Sequence, residues 1–90
     1  MSFQPGDVAA IECEVRPGPF SEEMLVSVDT VNGPISGFVQ SSELRTEPPQ
    51  AYVRARVKQV LGDVIEVWIK GEFFSTAGLA SVPSHRAMAA

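Results

Sequence analysis

The chain has 90 residues, 44% hydrophobic and 20% charged, and a net charge of -4 from 11 acidic and 7 basic residues. That length makes one domain with a core of its own, and the hydrophobic content excludes wholesale disorder. The acidic balance works against a generic affinity for nucleic acid, which depends on clustered Lys and Arg.

No apolar run approaches the ~18 residues of a membrane span, so no membrane association is expected. The start, "MSFQPGDVAA", has neither the basic opening nor the apolar middle of a signal peptide. The single Cys13 has no internal disulfide partner. A cytoplasmic location is therefore expected.

Period-2 alternation recurs along the chain, and glycines and prolines fall between the apolar runs. In "DVAAIECEV", Ala9, Ile11, Cys13 and Val15 share one face while Glu12 and Glu14 point the other way. "RPGPFSEE" is expected to end that strand in a structured loop, because Pro17 and Pro19 lack ladder donors. "MLVSVDTV" forms the next strand, with Met24, Val26 and Val28 on one face. Asn32-Gly33 is a hairpin signal, but Pro34 removes an N–H and predicts a wider turn before a strand from Ile35 to Gln40. "SSELRTEPPQ" predicts at most a short helical turn, with Pro48-Pro49 as a stiff linker between two halves.

"AYVRARVKQVLGDVIEVWIK" is the clearest hairpin. A turn on Gly62-Asp63 alone sets Lys58 opposite Val67 and Arg56 opposite Ile69, mixing charged and apolar residues. A three-residue loop, Leu61 to Asp63, sets Val57 against Val67 and Ala55 against Ile69 on one face. It also sets Lys58 against Glu66 and Arg56 against Trp68 on the other, and this register is the one predicted. After a turn region in "EFFSTAG", "LASVP" is the last strand and "SHRAMAA" a frayed tail. A faint internal echo joins "GFVQSSELR" to "GLASVPSHR".

The fold predicted is all-β: a small barrel or compact sandwich of five to seven mostly antiparallel strands, residues 1–84, followed by a flexible tail, 85–90. "PGDVAAIECEV", "RPGPFSEE" and "SGFVQSSEL" resemble, in turn, a strand after a glycine-aspartate diverging turn, a long first loop, and a closing strand with its 3₁₀ turn. In these respects residues 5–45 resemble the SH3-like (Src-homology-three-like) barrels. The resemblance implies that barrel type. It does not imply polyproline recognition, since Gln40 stands where the family's ligand-gripping proline would be.

The residue inventory argues against an enzyme. One His and one Cys leave little for nucleophilic catalysis, and His85 falls in the predicted tail. Cys13 reads as a small buried hydrophobe. No cofactor or metal is expected, for want of a His pair, a CxxC or a calcium-type loop. Two features carry functional chemistry. Arg54, Arg56 and Lys58 alternate on one strand, beside Trp68. "VIEVWI" is apolar on both faces apart from Glu66, and Phe73-Phe74 follow directly.

An exposed strip of Trp68, Val64 and one phenylalanine is the mark of an interface. The expected role is non-enzymatic binding of a protein or small ligand, with self-association as a two-fold dimer. Trp68, Phe73 and Phe74 anchor that contact, and Arg54, Arg56 and Lys58 tune it. Outward Glu12 and Glu14 are expected to face Arg54 or Arg56, within a chain or across the interface. The alternatives are a nucleic-acid-binding barrel, with a base stacked on Trp68, and a small enzyme whose site forms between subunits.

Overall fold

A computed structural model describes residues 2–90. Nine strands are present: β1 Val8–Pro17, β2 Glu23–Thr30, β3 Gly33–Gln40, β4 Leu44–Glu47, β5 Gln50–Leu61, β6 Val64–Ile69, β7 Glu72–Phe73, β8 Leu79–Pro83 and β9 Ala87–Ala89. The helical elements are two 3₁₀ turns, Ser41–Glu43 and Ser84–Arg86, and no helix among the described residues is long and apolar enough to cross a membrane. All pairings are antiparallel, in the order β7-β3-β2-β1-β5-β6-β8, with β4 added on β5 and β9 on β1.

The two long strands curl this sheet into a half-barrel because each changes partner along its length. β1 pairs with β9 through Ala9–Ile11 and with β2 through Glu14–Pro17. β5 pairs with β4 through Gln50–Val53 and with β6 from Ala55 onward. On the inside, Ile11, Val26, Val28, Val39, Val53, Val57, Ile65, Val67, Ile69 and Val82 are fully buried. All are β-branched, the shape that packs best on a pleated surface. The alternation read in the sequence is what sorts them inward.

Apart from the short β7, two halves share one plan: three strands, a 3₁₀ turn and a fourth strand that crosses to the other half. Leu44 of β4 lies opposite Val53, and Ala87 of β9 lies opposite Ile11. Ile11 and Val53 are themselves cross-strand partners, so an approximate two-fold passes through that buried pair. The internal echo is thereby given its alignment. "SGFVQSSELR" matches "LASVPSHRAM", with buried Gly37 and Val39 over buried Ala80 and Val82. This is two residues away from the match the letters alone favour, because identity of residues is a weaker guide here than burial.

Several local expectations are corrected. Residues 85–90 are not a tail: β9 pairs with β1, and the expected domain boundary at residue 84 disappears. Pro48-Pro49 joins the two halves not as an extended linker but as a turn that folds β4 back onto β5, with Glu47 opposite Gln50. β1 runs on through Pro17, at the strand end opposite Met24. The β2–β3 turn is tight, not wide. Thr30 pairs with Gly33, and the Thr30 hydroxyl accepts from the Asn32 N–H (3.1 Å) and donates to the Gly33 carbonyl (2.6 Å). A side chain thus closes the turn, and Pro34 enters β3.

The β5–β6 hairpin combines both registers that were weighed. Beyond the turn at Gly62-Asp63, Leu61 faces Val64 and Gln59 faces Glu66. A bulge between Val57 and Gln59 then restores Val57 to Val67, Arg56 to Trp68 and Ala55 to Ile69. Lys58 is the extra residue, and it does not meet Glu66. The bulge lets the two-residue turn form while the charged and apolar faces still separate.

Candidate functional site

On β6, buried Ile65, Val67 and Ile69 alternate with Val64, Glu66 and Trp68 on the outer face. Trp68 lies between Arg56 on β5 and Leu79 on β8, so a cation, an indole and an aliphatic side chain form one row across three strands. Trp68 is 41% exposed and Leu79 47%. Arg54 stands two residues along β5 from Arg56, and Lys70 directly follows β6. Together with Val8 and Glu43, these cations and Trp68 line a depression of about 320 Å³.

The Arg56 guanidinium donates to the Gly6 carbonyl at 2.9 Å and does not stack on Trp68. Among the described residues the cation–π pair is Arg45 over Tyr52, at 5.4 Å. The ion pairs among these residues involve Arg45 and Arg86, leaving Arg16, Arg54, Arg56, Lys58 and Lys70 without one.

The structure separates the phenylalanines from Trp68. After Ile69 the chain crosses to β3, where Phe73 lies opposite Gly37 and packs partly buried against the core. Phe74 stands edge-on to Phe38, with ring centroids 5.5 Å apart. The crossing is forced by the short β7 pairing, so no continuous strip of Trp68, Val64 and a phenylalanine forms. Val64 is half-buried between Leu61 and Pro83. Lys58, on the bulge, lies outside the depression that holds Arg54 and Arg56.

The approximate two-fold defines a second surface that the sequence reading missed. The row Glu14–Ser27–Ser36 across β1, β2 and β3 corresponds to Arg56–Trp68–Leu79. By the same correspondence Glu12 matches Arg54, Asp29 matches Lys70, and Arg86 matches Glu43. Charge is inverted at the four charged pairs, Glu14/Arg56, Glu12/Arg54, Asp29/Lys70 and Arg86/Glu43. Arg86 bridges Glu12 (3.5 Å) and Asp29 (3.6 Å), and the acidic groups, Cys13 and Arg16 border a recess of about 770 Å³. Glu12 therefore faces Arg86 and not Arg54 within the chain. Only the shifted alignment, which sets Arg86 over Glu43, carries a sequence signal for this surface.

Cys13, partly buried on β1, has a displaced titration. Burial, and then the neighbouring Glu12 carboxylate, push its thiol up to about 12 from an ordinary 9.0. Between those values only the unfolded chain releases the proton, so stability falls as pH rises above 9 and is unaffected by this group below it. The expected result is that Cys13→Ala flattens the alkaline loss of stability, measured as denaturant midpoints from pH 7 to about 11. At neutral pH the thiol stays protonated and slow to alkylate.

Comparison with protein-family models, with curated proteins and with solved structures finds no match to this chain.

Proposed function

We propose that this protein is a non-enzymatic interaction module that self-associates through the face carrying Trp68, in a cytoplasmic setting. The observation that carries the reading is the Arg56–Trp68–Leu79 row. An exposed indole and an aliphatic side chain stand side by side on the outer face of the sheet, flanked by Arg54 and Lys70. Trp and Arg are the residues that most often dominate binding energy at protein interfaces. Glu43 stands among the same cations and Glu66 lies two residues from Trp68 on β6; both oppose a phosphate backbone, which favours a protein partner over nucleic acid. The free, partly buried Cys13 supports the cytoplasmic setting. The likeness to SH3-like barrels is supported by the strand order of the first half, three strands, a 3₁₀ turn and a fourth strand.

The test is sedimentation velocity of the wild type and Trp68→Ala over a micromolar concentration series. Loss of a hot-spot tryptophan, about 2 kcal/mol, raises the dissociation constant roughly thirtyfold. A wild type that stays monomeric through the series overturns the reading.

A further inference from the structure

The two surfaces related by the approximate two-fold differ in charge and in side-chain size, and the differences are complementary. One carries Arg54, Arg56 and Lys70 with a single acid, Glu43, around the exposed Trp68 and Leu79. The other carries Glu12, Glu14 and Asp29, with Arg86 bridging two of them. Small residues, Ser27 and Ser36, stand there where the first surface has its indole and leucine. Beside these serines is a recess of about 220 Å³, bordered by Glu14, Arg16 and Leu25.

We propose that the Trp68 face of one molecule docks on the Glu14–Ser27–Ser36 face of a second copy, so that the chain associates head to tail. The inference rests on the Trp68 face being an interaction surface, and it names what that surface meets. A two-fold contact of the Trp68 face with itself would set Arg54, Arg56 and Lys70 of two copies against one another, and like charges across an interface are costly. Docking on the acidic face removes that cost and sets the large apolar side chains of one face against the small residues of the other. Such a contact is heterologous: each added copy leaves one face of each kind free, so assembly passes beyond the dimer or closes into a ring.

Charge reversal tests the pairing. Among the described residues neither Arg54 nor Glu14 has an ion-pair partner within the chain, so Arg54→Glu and Glu14→Arg leave the internal bridges intact. Each variant alone is expected to raise the dissociation constant at least tenfold in sedimentation velocity at low salt. Their equimolar mixture is expected to associate again, because each supplies the face the other has lost. Ser27→Trp, which fills the recess without changing charge, is expected to dissociate the assembly as well and serves if Glu14→Arg does not fold.

Two outcomes overturn the inference while leaving the Trp68 reading in place. In one, Glu14→Arg and Ser27→Trp associate like the wild type although Trp68→Ala does not. In the other, the mixture of reversed variants stays monomeric. A monomeric wild type overturns both.

Discussion

Ile11→Ala lowers the free energy of unfolding by about 2–5 kcal/mol, the cost of removing a large buried aliphatic side chain and leaving its cavity. Ile11 is fully buried and lies opposite Val53, on the approximate two-fold where the halves meet. Its strand also carries β9 on the other edge, so the space is walled by backbone on both sides and cannot collapse easily. A small domain holds only about 5–15 kcal/mol in total, so this one change removes a large share. Chemical denaturation checks it, with a lower midpoint at an unchanged slope. Ile11→Val, which removes one methylene, should cost about 0.5–1.5 kcal/mol. Val53→Ala combined with Ile11→Ala should fall short of additivity, since both enlarge the same cavity.

Gly78→Ala is expected to cost more than an ordinary surface substitution, for two separable reasons. Gly78 has a left-handed φ of +99°, and a side chain there is strained by roughly 1–2 kcal/mol. An added Cβ would also lie 2.5 Å from the Ile69 carbonyl oxygen and 3.3 Å from Trp68 Nε1. The Ile69 N–H donates to the Gly78 carbonyl at 2.9 Å, so relieving the collision strains that hydrogen bond, worth about 0.5–1.5 kcal/mol. Gly62→Ala is the control. Its φ is +66° but nothing lies within 4 Å of the new Cβ, so it should show the strain alone. Trp68 is the single tryptophan, and a shift of its emission in Gly78→Ala but not in Gly62→Ala would locate the disturbance at the proposed interface.

The parts of this fold that were legible in advance are those where polarity alternates residue by residue. β1, β2, β5 and β6 each bury one face of such a pattern, and the inward set from Ala9 to Val15 was correct because a slip of one residue would have exposed it. The weakest readings were at proline-containing joints and at the chain end. β4 and β9 are short, largely exposed and weakly patterned, and neither announces itself as a strand. Each exists because a long neighbouring strand offers an open edge. The bulge at Lys58 was hidden for a related reason: two registers were each correct on one side of it.

Of the proposed site, the sequence supplied Arg54, Arg56 and Trp68, which sit in register on adjacent strands. It misplaced Phe73 and Phe74, whose position depends on β7 reaching β3, and it could not see Lys70, Leu79 or the acidic surface around Glu14. By itself, the sequence determined the all-β class, the identity of most of the inward-facing residues and the central hairpin. Those follow from local alternation and the cost of exposing apolar side chains. Only the tertiary structure decided that the last residues form β9, that the halves are related by a two-fold through Ile11 and Val53, and that charge is reversed between them. These depend on which distant strand edges meet, and a local pattern carries no record of that.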